Sequence, residues 1–139
     1  MKKRYPDARV RIYAHDTDLL CVSNAPLLTV PPAFASDWYA PYLTKTVSGD
    51  ATFSQEIKDM VLFEYHDCLH NNSLPDVDII FCRDVVSFLD SEAQAAVLAE
   101  FEEKLKGNGI LILGQNEILS SQSNWSVKSV GSVNVYSKK

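Results

Sequence analysis

Glycine is scarce in this chain. It fills 5 of 139 positions, about half the usual share, and the first of them is Gly49. A function that needs a glycine-rich loop in the first third of the sequence is thereby excluded, because close backbone approach to a phosphate or cofactor depends on residues without a Cβ. Basic residues are also few: 13 Lys and Arg against 18 Asp and Glu give a net charge of −5. Nucleic-acid binding draws on clustered cations, and the one basic cluster is Lys2-Lys3-Arg4 at the terminus. Nucleic acid is therefore excluded as a partner. No apolar run approaches the roughly 18 residues that span a bilayer, and no apolar segment follows the basic terminus as in a secretory signal. Three cysteines (Cys21, Cys68, Cys82) are odd in number and far apart, which suits a reducing compartment, and their spacing matches no zinc pattern. The expectation is a cytoplasmic protein with no membrane insertion and no metal.

What is present is ordinary for a folded chain. With 46% hydrophobic and 22% charged residues, a sequence of this length buries a real core as one domain. Residues 9–14 alternate polar and apolar before the polar stop His15-Asp16-Thr17-Asp18, a strand running into an acidic loop. Asp16 or Thr17 is placed to cap a short helix through Leu19, Leu20 and Val22. Residues 33–43 carry Trp38, Tyr39 and Tyr42 at helical spacing, with Pro41 limiting the helix. Residues 44–47 and 51–53 flank Ser48-Gly49-Asp50 as a β-hairpin. Residues 60–65 predict a second core strand, and residues 77–82 one buried on both faces, as in parallel sheets.

The strongest helix follows. Ser91 with Gln94 forms a capping box, Val97, Leu98, Phe101 and Leu105 share a face, and Lys104, Lys106 and Gly107 end it. Residues 110–113 are a fully apolar strand leaving at Gly114, and residues 125–130 and 133–136 alternate about Gly131-Ser132 as a C-terminal antiparallel hairpin. Strands alternating with helices and finished by a hairpin predict a three-layer α/β architecture, a mostly parallel sheet with an antiparallel edge.

In such a sheet chemistry lies beyond the carboxyl ends of the strands. Those ends are His15-Asp16-Thr17-Asp18, residues 65–69, Cys82-Arg83-Asp84 and Gly114-Gln115-Asn116-Glu117. An acid at an early strand end can grip ribose hydroxyls, since a carboxylate accepts two hydrogen bonds at once. Plainer roles compete: Asp16 as a helix cap, Arg83 as an ion-pair partner of Asp90 or Glu117, Cys82 as a small core residue. His66 and His70, four apart around Asp67, read as a surface loop because no third ligand accompanies them.

The segment Asp78-Ile79-Ile80-Phe81-Cys82-Arg83-Asp84-Val85-Val86-Ser87-Phe88-Leu89-Asp90 resembles the Asp-x-Ile-x-Cys-Arg-Asn-Val-x-Ile-Tyr-Phe-Asp signature of CheR-type chemotaxis receptor methyltransferases. The flanks agree in order. Tyr13-Ala14-His15-Asp16-Thr17-Asp18 is similar to Trp-Ala-x-Asp-Ile-Asp, residues 63–69 to Phe-x-x-x-Asn-Leu-Leu, residues 105–109 to Leu-Lys-Pro-Gly-Gly, and residues 114–117 to Gly-His-Ser-Glu. The resemblance covers residues 9–136 and implies a Rossmann-like sheet that uses S-adenosylmethionine to methylate glutamates of bacterial chemoreceptors. It places Asp16 at the ribose, Asp67 and Cys68 beside the adenine, Arg83 and Asp84 along the cofactor, and Phe88 where a tyrosine stands at the methyl-transfer centre. It likens the hairpin of residues 44–58, with Ser48, Gly49 and Asp50 at its tip, to a small β-subdomain that docks a receptor tail in some members.

The departures from that pattern fall on the site. The family's first strand and its glycine-containing cofactor loop precede the ribose acid by about 20 residues or more, and here no glycine precedes Asp16. Asp84 and Asp67 put acceptor-only groups in place of amides, and Phe88 lacks the tyrosine hydroxyl. The expectation is a truncated Rossmann-like methyltransferase sheet whose cofactor residues are vestigial, with residues 1–8 a tail or linker remnant and residues 9–139 the CheR-like domain. It is expected to act without a cofactor as a protein-interaction module of bacterial chemotaxis, with a receptor, adaptor or kinase of the array as partner. The alternative is an active S-adenosylmethionine-dependent protein-glutamate O-methyltransferase completed by a partner or upstream domain. Without the first strand, residues 9–14 and 77–82 are expected to pair directly; a strand from another chain would instead make a homodimer.

Overall fold

The computed structural model describes residues 4, 7–31, 38–70, 74–120 and 124–139. The chain divides into two compact units, Met1–Asp67 and Cys68–Lys139. In the first, β1 (Ile12–Asp16) pairs in parallel with β5 (Val61–Tyr65), in register from Ile12 opposite Val61 to Asp16 opposite Tyr65. Between them comes α1 (Leu19–Asn24), whose cap is neither Asp16 nor Thr17. Asp18 takes that role, its Oδ1 accepting from the N–H of Leu20 at 2.8 Å and of Cys21 at 3.4 Å. One position decides the matter: Asp18 has extended backbone dihedrals directly before the helix, as a capping residue requires, whereas Asp16 is still in the strand.

The expected hairpin is present and belongs to a larger sheet. Strands β3 (Leu43–Lys45) and β4 (Ala51–Phe53) are joined through the Gly49 turn, and β2 (Thr29–Val30) adds to the other edge of β4. Two residues give β2 no readable alternation. Its place follows from Thr52, buried on the central strand, whose hydroxyl donates to Leu27 O at 2.6 Å. Residues 55–58, expected within the hairpin insertion, are a one-turn helix, α2 (Gln55–Lys58). The helix predicted over residues 33–43 lies partly outside the described residues; within them Pro41 stands in a single 3-10 turn, Ala40–Tyr42.

The second unit is a four-stranded sheet in the order β6-β7-β9-β8, formed by β6 (Val77–Cys82), β7 (Leu105–Leu113), β8 (Trp125–Val130) and β9 (Val133–Lys138). The pair β6–β7 is parallel; β7–β9 and the C-terminal hairpin β8–β9 are antiparallel. One helix, α3 (Ser91–Lys104), covers one face, with Leu98 and Phe101 packed against a core of Cys82, Val86, Leu105, Leu111, Leu113, Trp125 and Tyr136. Cys82 is thus the small core residue its sequence context suggested.

Several expectations are corrected here. The cap of α3 is Asp90, accepting from Ala93 N–H at 2.9 Å, so Ser91 is already helical and Gln94 reaches back to Leu89 O. Gly107 does not end the helix: the chain turns extended at Leu105 and enters β7 with no loop between. The register between β6 and β7 jumps there, Val77 facing Leu105 and Ile79 facing Ile110, so residues 106–109 are absorbed as a bulge. Strand β6 is not buried on both faces. As an edge strand it buries Cys82 while Phe81 remains 69% exposed.

Among the described residues two strand pairings are parallel and four antiparallel, so the sheets are mixed rather than mostly parallel. Within the first unit β1 has β5 as its hydrogen-bonded neighbour, and within the second β6 has β7.

Candidate functional site

The acidic exit of β1 follows from local hydrogen bonding. Asp16 is exposed, and its Oδ1 accepts from the N–H of Asp18 at 2.8 Å, an Asx turn that directs the chain into α1. The carboxylate that the resemblance assigns to the ribose is therefore engaged through one oxygen by its own turn. Beside it, a cavity of about 150 Å³ is lined by Ala14, His15, Asp16, Cys21, Val22, Ala25 and Phe63. Small-molecule sites occupy about 300–1,000 Å³, so this cavity by itself is the size of a fragment.

His15 stands at the cavity wall. Its Nε2 lies 3.7 Å from Glu64 Oε2, and its ring meets that of His66 edge to face at 4.8 Å. Burial and the neighbouring His66 lower its pKa, outweighing the opposing pull of Glu64. This pair, side by side at the exits of parallel strands, escaped the sequence reading, which coupled His66 to His70 instead. Among the described residues no three His, Cys, Asp or Glu side chains converge as a metal site. Asp67 and Cys68 are half-buried and fall on either side of the division between the two units. Cys68 is close enough to Cys82 to help, after burial, raise its thiol pKa to about 12, which leaves Cys82 protonated and unreactive.

In the second unit the chemistry gathers at the exits of β6 and β7. Arg83, Asp84 and Phe88 are all exposed, and Phe88, which the resemblance sets at the methyl-transfer position, is 85% exposed. Asp84 has φ +58°, a left-handed conformation that costs most residues about 1–2 kcal/mol and that Asp tolerates better than most. Its N–H is bound by Glu117. The Glu117 carboxylate is buried, and it accepts from the N–H of Gly114 at 2.7 Å, of Asp84 at 2.8 Å and of Ser87 at 2.9 Å. Burial alone would raise the Glu117 pKa; the N–H groups of Ser87, Gly114 and Asp84, with the Ser87 hydroxyl, outweigh it and the net shift is downward.

Gly114 is required by the same knot. A Cβ there would overlap Asp84 Oδ1 and stand 2.9 Å from both Asp84 N and Glu117 Oε2. The ion pair expected between Arg83 and Asp90 or Glu117 is not formed: Glu117 is held by main-chain donors and Asp90 caps α3. A carboxylate one turn beyond an apolar strand's glycine exit, in a segment with no basic neighbour, was the signal available in the sequence.

At the hairpin tip, Ser48 Oγ hydrogen-bonds both Thr46 Oγ1 and Asp50 Oδ2 at 2.8 Å, and Gly49 supplies φ +90°. These bonds fix a turn from which Val47 projects fully into solvent.

Parallel strand pairs with acid-bearing exits, joined by a helix and closed by an antiparallel hairpin, define an α/β domain of the methyltransferase type. The chain belongs to the CheR methyltransferase SAM-binding domain family, whose model matches residues 1–135. It is 26% identical over 113 residues to an uncharacterized 104.1 kDa protein from the hypE 3' region of Rhodobacter capsulatus, a match covering 79% of this chain and 12% of the relative. It is 28% identical over 79 residues to "Putative methyltransferase Cher3" of Pseudomonas putida, covering 57% of this chain and 29% of that protein. The matched part is thus under a third of either relative's length. A solved structure described as "A Pericyclic Reaction enzyme" superposes with a TM-score of 0.55 at 9% identity, over 99% of this chain and 39% of the other, a likeness of fold alone. No helix among the described residues is long and apolar enough to cross a membrane.

Proposed function

We propose that this chain is a cytoplasmic CheR-like domain that binds protein rather than transferring methyl groups, in bacterial chemotaxis signalling at membrane-associated chemoreceptor arrays, with a receptor, adaptor or kinase as partner. The observation that carries the reading is the small antiparallel sheet β2-β4-β3, in which the outer strand β3 has β4 as its one strand neighbour among the described residues and the tip is held by hydrogen bonds among Thr46, Ser48 and Asp50. An extended peptide can add to such an edge through main-chain bonds, with alternate side chains supplying selectivity. The cofactor side supports it by its deficits. Asp16 is engaged by its own turn, Phe88 offers no hydroxyl, and Asp84 and Asp67 offer acceptors in place of amide donors. Each lost hydrogen bond weakens a ligand by about 1 kcal/mol, so several together cost orders of magnitude in affinity.

Two titrations test it. Calorimetry with S-adenosylmethionine should give no binding below about 1 mM; a micromolar dissociation constant overturns the non-catalytic reading. A synthetic peptide of a chemoreceptor's carboxyl-terminal tail should shift the backbone amides of residues 43–53, and an unchanged spectrum at millimolar peptide overturns the docking reading.

One observation favours the second reading, a methyltransferase completed by an added strand from a partner, an upstream segment or a second copy. Both β1 and β6 belong to parallel pairs, each with one hydrogen-bonded neighbour, and Ile12 and Phe81 on them are exposed. Parallel strands with apolar side chains are ordinarily interior. Under that reading the cofactor binds only when the added segment is present.

A further inference from the structure

We propose that Glu117 is a positioning residue: its buried carboxylate sets the conformation of the loop after β6 and so the joint presentation of Arg83, Asp84 and Phe88. The inference stands apart from the docking reading above, because it concerns only the second unit. Three main-chain donors from three separate places converge on the two oxygens. Asp84 N and Gly114 N reach Oε2 from the exits of β6 and β7, and Ser87 N reaches Oε1 from the 3-10 turn Val86–Phe88. A carboxylate has about four acceptor sites and no donor, so it alone among side chains can take all three N–H groups without conflict. Bonds from amides to a charged acceptor are also about twice as strong as neutral ones.

The effect on the loop is specific. Binding of Asp84 N forces the chain to reverse at that residue, which is where φ turns positive. Binding of Ser87 N then fixes the turn that carries Phe88 outward. The knot is closed behind by Gly114, where any side chain would intrude, and by Tyr136 of β9, whose hydroxyl donates to Glu117 O at 3.3 Å. The titratable groups facing the carboxylate are Asp84, Cys82 and Tyr136, and among the described residues no cation stands against it.

Backbone NMR of the intact chain tests this. On acidification, the amide resonances of Asp84, Ser87 and Gly114 should move together with one midpoint, below that of an ordinary glutamate; separate midpoints, or none, overturn the proposal. Glu117→Gln puts a donor against a donor, and hydrogen exchange at Asp84 and Ser87 should then accelerate about tenfold or more, with amides in the middle of β7 and β9 unchanged. Equal acceleration throughout the second unit would show a merely structural carboxylate and would sink the idea. If Glu117→Gln fails to fold, the wild-type titration still decides.

Discussion

Glu117 and Asp84 illustrate how much one residue can fix. A charge buried at the exits of two strands is costly unless paired or hydrogen-bonded, and here main-chain N–H groups do the pairing. Because the folded pKa lies below the ordinary 4.5, the unfolded chain binds the proton more readily. This stabilisation is therefore complete above the unfolded value and is lost as pH falls through the folded one. Amide protection in β7 and β9 should be flat from pH 7 to 5 and fall below that, and Glu117→Gln should remove part of the fall. At Asp84 the left-handed backbone makes a sharper prediction. Asp84→Gly should be neutral or stabilising, while Asp84→Ala should cost about 1 kcal/mol in urea unfolding. Gly114→Ala, with its Cβ driven into Asp84, should cost more than about 2 kcal/mol.

Among the elements, α3 was the most legible. Its apolar residues Val97, Leu98 and Phe101 recur at helical spacing and indeed face the core. Its ends were misread by one residue at the start and three at the finish, because Asp90 and Ser91 are both good caps and only the backbone dihedrals choose between them. Asp90→Ala should therefore cost about 1 kcal/mol and Ser91→Ala close to nothing, as measured by urea unfolding. The two hairpins were readable from their glycine turns, Gly49 and Gly131, both with positive φ. Strand β2 was not, since two residues carry no periodicity, and its pairing depends on Thr52, some twenty residues on. The acidic exit Asp16-Thr17-Asp18 was found as a motif, but which carboxylate caps and which closes the turn was settled by chain geometry.

For the molecule as a whole, the two units carry different acid sensors. In Met1–Asp67 His15 has a lowered pKa, from burial first and His66 second, so the unfolded chain takes up protons first as pH drops below about 6.5. In Cys68–Lys139 Glu117 acts in the window below about 4.5. Amide protection should accordingly weaken in β1 and β5 between pH 7 and 5, while β7 and β9 hold until lower pH. His15→Phe should abolish the first step and leave the second. Simultaneous loss in both units would contradict this assignment.

The scarcity of glycine, most of the strands, helix α3 and the family likeness could all be read from the one-dimensional pattern. Each is a matter of residue type and spacing: glycines absent before Gly49, apolar alternation, and a contiguous run around Cys82-Arg83-Asp84. What only the tertiary structure decided was which groups meet. It brought Glu117 to the amides of Asp84, Ser87 and Gly114, His15 to His66, and Thr52 to Leu27. Among the described residues it also gave β1 and β6 one hydrogen-bonded neighbour each, β5 and β7. Such meetings bridge from 3 to 51 residues of chain, and hydrogen-bond geometry within a few tenths of an ångström selects them, which no local propensity encodes.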